Sequence, residues 1–291
     1  MWHCKLYLAL HTGTEVVCFS FARVTWTILC VHASCLLFCR MEDPLGEIAC
    51  NVEKWCKLVA SMTVDQRVKL GSTTLRCMMQ IPPIKMRTTL LSYMLEAYEL
   101  SSGKFIIEER VGEISLTSVD VECITGLNNT GLSASSILDE EGEVAKDRIP
   151  QHFLSKTTGN INIDELIEYI MKNEAADDDF VRMSVLVLVG TVLAPSATKI
   201  VQKQMYALVE DLGRINKINW NAFTLGYLMA NIKFVKKGRK IRQWPKGNLP
   251  LLQVHYGFPS HEITKCIKIM NLNYTVFLYA VSLLGEGAAT G

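Results

Sequence analysis

Residues 180–194, FVRMSVLVLVGTVLA, carry one charge, Arg182, in fifteen positions. Asp177, Asp178 and Asp179 precede the run and Pro195 closes it. Acidic residues favour a helix N-terminus and proline stops a helix. Periodicity alone does not separate a buried helix from a buried strand. The length and the flanking signals select a helix, and its composition requires burial on all sides. The chain can supply such a core: it has 291 residues, 49% apolar and 20% charged, enough for one large domain or two small ones. This balance excludes a disordered chain, and 18 Gly with 8 Pro excludes a collagen-like one. A formal net charge of +1 excludes a globally basic nucleic-acid protein but leaves room for a local basic patch.

Helical patterns lie on both sides of the run. Asn162 caps a stretch in which Ile163, Leu166, Ile167, Ile170 and Met171 share one face. A helix is expected around 202–212. Asn219 opens another, with Trp220, Phe223, Tyr227, Leu228, Ile232 and Val235 as apolar members; 249–256 and 263–270 complete the set. Upstream, Thr88 and Thr89 cap a stripe of Leu90, Leu91, Met94, Leu95 and Tyr98. The period then changes. Phe105-Ile106-Ile107 and Glu113-Ile114-Ser115-Leu116 flank Arg110-Val111-Gly112 and read as a hairpin. Thr117 with Asp120 resembles a capping box with Asp in the Glu/Gln position, and Gly126 is a natural stop for the short helix that follows. Residues 128–160 read as loop-rich, with turn chemistry at 128–131 and an acidic cluster of Asp139, Glu140, Glu141, Glu143 and Asp147. The fold class expected is mostly α: a single multi-helix globular domain over 41–282 with a small β-hairpin near 104–117.

Composition breaks at Met41. Residues 1–40 hold four charges (Lys5, Glu15, Arg23, Arg40) and five of the ten cysteines. Three readings stand: a membrane anchor, although residues 24–39 fall short of the roughly 20 apolar residues a span needs; a secretory signal, although Lys5 is a thin basic start and Arg23 interrupts the apolar stretch; or an extension foreign to the domain, with Met41 an alternative start. Membrane contact, if any, belongs to this segment. The tail, 283–291, is rich in small residues and reads as disordered and as an arbitrary stop.

Catalytic signatures are incomplete. Cys30, His32, Cys35 and Cys39 lack the paired spacing of a zinc site. His261-Glu262 begins the zinc-protease pattern, but Lys265 stands where the second imidazole belongs. Cys266 with His255, or Cys123 with His152, could pair as nucleophile and base, yet nothing beside them resembles an activating elbow. No cofactor is implied. Cys50, Cys56, Cys77, Cys123 and Cys266 read as reduced core residues. The local anomaly is electrostatic: Lys233, Lys236, Lys237, Arg239, Lys240, Arg242 and Lys246 stand together without an acid, flanked by Phe234 and Trp244. Three readings compete: a solvated loop, a nuclear-localisation signal, or weak phosphate contacts with Trp244 stacking on an unpaired base.

Four blocks, at 105–131, 180–195, 206–228 and 247–256, resemble in order the plant mobile domain, also called the aminotransferase-like plant mobile domain. Its members occur in plant transposable elements and in host proteins thought to derive from them. The resemblance implies a nuclear, non-enzymatic interaction module, acting with unidentified protein partners in transposon silencing or genome maintenance. Its alternative is a truncated remnant of a transposon-encoded polyprotein lacking its SUMO-protease-like cysteine-protease domain. Aminotransferase activity finds no support: no Gly-rich phosphate loop follows a strand, and Lys104 opens a β run.

Overall fold

The computed structural model describes residues 47–107, 112–238 and 243–257, together with two short strands, β1 (His11–Thr12) and β2 (Glu15–Val16), paired antiparallel. The remainder of the 1–40 extension, residues 108–111 and 239–242, the 263–270 pattern, His261–Glu262 and the 283–291 tail lie outside the described residues. Helices α1 (Val52–Ser61), α2 (Val64–Gly71) and α3 (Thr88–Ala97) come first. Strands β3 (Tyr98–Glu99), β4 (Lys104–Ile107) and β5 (Gly112–Ile114) follow as an antiparallel sheet in that order. Then come α4 (Ser118–Thr125), α5 (Ala134–Ala145), β6 (Ile161–Asn162), α6 (Ile163–Lys172) and α7 (Asp178–Leu188). Strand β7 (Ile200–Val201) pairs back onto β6, and α8 (Leu212–Ile215), α9 (Trp220–Lys237) and α10 (Pro250–Gly257) end the described chain. The domain is mostly helical, and its sheets are small.

The apolar run is a buried helix, as its flanks require. Asp177 caps α7 by accepting the Phe180 N–H at 2.8 Å, and residues 183–194 are all buried. Its last turn, Val189–Leu193, widens into a π-helix, with the Ala194 N–H donating to the Val189 carbonyl at 2.8 Å. Tertiary contacts fix that geometry. A Cβ on Gly190 would lie 2.7 Å from both Ile163 Cδ1 and Val201 Cγ2, so glycine lets α6 and β7 press against the helix. The carbonyls freed at a helix end need donors. Asn51 N–H supplies one to Thr191 O at 2.8 Å, and Thr224 Oγ1 supplies one to Leu193 O at 2.7 Å.

Two apolar clusters share the domain. The larger surrounds α7 and includes Trp55, Leu58, Leu166, Ile170, Phe180 and Trp220. The smaller gathers Leu91, Leu95, Phe105, Val121, Leu228, Ile232, Leu249 and Leu252. Helix α9 joins them: Trp220 anchors its start in the first cluster, while Leu228 and Ile232 enter the second. Trp220 Nε1 donates to Ile215 O at 2.9 Å, and Trp55 Nε1 to Met78 O at 2.7 Å, so both indoles bury without an orphaned donor.

The hairpin has the expected place, with Phe105 opposite Ile114 and Ile107 opposite Gly112. Phe105 and Ile107 are buried and Ile106 is exposed, the alternation a one-sided sheet imposes. Four expectations need correction. Residues 128–160 contain the twelve-residue α5, and two of its four acidic residues are paired: Glu141 with Arg214 at 2.6 Å and Glu143 with Lys146 at 2.6 Å. Thr88 and Thr89 lie inside α3, whose cap residue is Arg87 and makes no side-chain cap bond. The helix around 202–212 is a 3-10 helix (Lys203–Leu208) followed by the single turn α8. Met171 is 58% exposed, because a 100° step per residue carries it past the edge of the face that Ile163, Leu166 and Ile170 share.

Candidate functional site

The basic run begins on the last turn of α9. Lys233 and Lys237 are exposed there, and Lys246 is exposed beyond the turn. Lys236 is different: it is half-buried, and its Nζ donates to the Glu96 carbonyl at 3.0 Å. Burial lowers its pKa from the usual lysine value, opposed by the nearby Glu96 carboxylate. Lys236 therefore ties α9 to α3, leaving Lys233, Lys237 and Lys246 as the surface cations among the described residues of this run. Arg239, Lys240 and Arg242 lie outside them.

Trp244 does not stand at the rim of this patch. It is 9% exposed and belongs to the second cluster, with Leu228, Ile232 and Leu249. The chain turns back after α9, and Gly247 permits the return: a Cβ there would come within 2.8 Å of Leu228 Cα, at a φ of +117°. The indole follows the backbone inward and offers no face to a base. The exposed aromatic is Phe234, 68% exposed between the two surface lysines of α9. In the sequence it flanks the charges just as Trp244 does; only the register of α9, with Ile232 and Val235 facing inward, distinguishes them.

A second constellation is polar and buried. Thr117 and Asp120 form the expected capping box at α4: Thr117 N–H and Oγ1 donate to Asp120 Oδ2 at 2.7 and 2.6 Å, and Asp120 N–H donates to Thr117 Oγ1 at 3.3 Å. Gly126 ends α4 at a left-handed φ of +75°. Asn221, in the first turn of α9, straddles this helix: its Nδ2 donates to Ser118 O at 2.9 Å and Leu127 O at 3.0 Å. From α10, His255 places Nδ1 3.7 Å from Asp120 Oδ1, and both side chains are 3% exposed. Among the described residues, neither His255 nitrogen, nor Asp120 Oδ1, nor Asn221 Oδ1 has a hydrogen-bond partner. Stretches near 117–127, 219–221 and 255 thus converge on α4. Removing the cap with Thr117→Ala is expected to cost about 1–2 kcal/mol, read as a lower midpoint in urea unfolding.

The other candidates are structural. His152 Nε2 meets Asp179 Oδ2 at 2.9 Å, and Asp179 Oδ1 accepts from Arg182 at 2.8 Å. His152 and Asp179 line a surface cleft with Tyr169, Asn173 and Asp177, but its carboxylates are occupied: Asp179 by His152 and Arg182, Asp177 by the helix cap. Lys104, which opens β4, pairs with Glu113 across the hairpin at 2.5 Å. Burial pushes the Cys50 thiol up to about 12 and the Cys56 thiol up to about 11, so neither is a thiolate nucleophile near neutral pH. Among the described residues, no group of three or more His, Cys, Asp or Glu side chains is placed to hold a metal ion, and no helix is long and apolar enough to cross a membrane.

Residues 48–253 match the family described as a domain of unknown function (DUF8566). No curated protein and no solved structure matches the chain.

Proposed function

The chain belongs to that family, and we propose that it is a non-enzymatic nuclear interaction module that contacts nucleic acid through the end of α9. The observation that carries this reading is the surface exposure of Lys233, Lys237 and Lys246 within a stretch of seven basic residues and no acid. Each cation that meets a phosphate releases a counterion, which gives affinity without sequence preference. The blocks that resemble the plant mobile domain support a nuclear setting and an origin in a transposable element. They support protein partners as well, the role that the resemblance implies.

Binding to a mixed-sequence oligonucleotide is expected to weaken roughly tenfold or more between low and physiological salt. The triple variant Lys233→Ala/Lys237→Ala/Lys246→Ala should bind every sequence less tightly and show a flatter salt dependence. A parent chain that fails to bind at low salt, or a triple variant that binds like the parent, would rule out the nucleic-acid reading. The localisation reading has its own assay: whether that triple variant still accumulates in nuclei.

A further inference from the structure

We infer that Phe234 is a base-stacking platform that directs this surface toward single-stranded rather than duplex nucleic acid. The inference rests on the nucleic-acid reading above and specifies its partner. The outward face of α9 carries Ala222, Gly226, Ala230, Lys233, Phe234 and Lys237, all exposed. A helical side chain leans over the turn N-terminal to its own Cα. For Phe234 that turn holds Ala230, one methyl group, and before it Gly226, where an added Cβ would meet nothing within 4 Å. Among the exposed residues of α9 before Lys233, at 222, 226 and 230, none carries a side chain longer than a methyl group to cover the ring. Phe234 belongs to neither apolar cluster, so the fold gains little from it.

Its neighbours decide the chemistry of the occupant. Lys233 and Lys237 stand one residue before and one turn after Phe234, both exposed. Residues three or four apart on a helix lie about 5–6 Å from one another, so Lys237 neighbours both Phe234 and Lys233, and the flat ring stands beside a pair of lysines. A strand with unpaired bases can use both features at once, its phosphates on the lysines and a base on the ring. A duplex keeps its base faces stacked inside and can use only the lysines. Aromatic contacts of this kind tolerate any base, so the surface distinguishes strandedness and not sequence.

The test compares a 20-nucleotide oligothymidylate with a 20-base-pair duplex at fixed low salt, against the full chain and three variants. Phe234→Ala is expected to weaken the single strand roughly five- to a hundredfold, the range for one lost stack, and to leave the duplex within twofold. Phe234→Trp should keep single-strand affinity and show indole fluorescence quenched by the oligonucleotide. Phe234→Leu, apolar but not flat, should behave like Phe234→Ala. Because the ring is exposed, all three variants should melt with the parent, which separates loss of binding from loss of fold. Equal weakening of strand and duplex by Phe234→Ala would overturn the inference while leaving the lysine contacts standing. So would full affinity in Phe234→Leu, which would make this an apolar docking surface. A parent that binds neither probe removes the nucleic-acid reading and this inference with it.

Discussion

Gly131→Ala is expected to destabilise the domain by at least about 3 kcal/mol, beyond the usual range for a single substitution. Two independent penalties meet there. Gly131 has φ +127°, a conformation L side chains rarely adopt, and a Cβ built on it would lie 2.2 Å from the Lys217 carbonyl oxygen. That oxygen is backbone and cannot rotate away. It is also in use: Leu132 N–H donates to Lys217 O at 2.6 Å, and Asn219 N–H donates back to Leu132 O at 2.9 Å. This small parallel bridge, Leu132 against Ile218, ties the segment after α4 to the start of α9. Relieving the clash moves Asn219, whose side chain caps α9, and Trp220, which anchors it in the larger cluster. The expected fall in thermal midpoint is about 6–12 °C for a domain this size. Gly159→Ala is the control: its φ is +63°, but nothing lies within 4 Å of an added Cβ, so only the backbone cost of about 1–2 kcal/mol remains. If the two variants melt together, the close approach at Lys217 is not what glycine serves.

The sequence shows what is local and hides what returns. Thr117 and Asp120 are three residues apart, so their capping box is legible in the chain; that Asp120 also faces His255 is not, because 135 positions separate them. The helix at 178–188 is legible because its apolar run needs no partner to declare itself, but the π-turn after it depends on Ile163 and Val201 pressing on Gly190. Helix α5 escaped notice because its buried residues are Ala134, Ile137, Gly142 and Ala145, three of them too small to mark an apolar stripe. Gly142 reads as a loop residue yet packs against Gln204 Cβ, 3.2 Å from where its own Cβ would be. Of the described residues of the basic run, Lys233, Lys237 and Lys246 are exposed, whereas Lys236 turns onto the Glu96 carbonyl, a contact 140 positions away that the run itself does not announce. Its two aromatics cannot be ranked from sequence, since one faces solvent on α9 and the other follows the chain back into the core.

Acidification is expected to loosen α10 first, through His255. Burial lowers the pKa of this imidazole below its ordinary value of 6.5, and the Asp120 carboxyl raises it less than burial lowers it. Among the described residues, α10 packs chiefly on α3 and α4, shares the smaller cluster with α9, and meets the Asp120 carboxyl of α4 at the ring. The folded state therefore favours neutral His255, whereas the unfolded chain takes up a proton as pH falls through about 6.5. The unfolded state then binds more protons, so stability is complete above 6.5 and declines as pH drops from there toward the lowered folded value. The slope from this one group reaches at most about 1.4 kcal/mol per pH unit. Hydrogen exchange between pH 7.5 and 5 should show protection lost in 250–255 before it is lost in residues 183–188 of α7, which are buried and carry no titratable side chain. His255→Gln removes the titration and should flatten the dependence below pH 6.5. Asp120→Asn removes the influence that raises the pKa and should extend the loss to lower pH, on top of a constant cost from the weakened capping box. An α10 whose protection factors stay constant across this range in the parent chain would show that the buried ring stays docked whatever its charge.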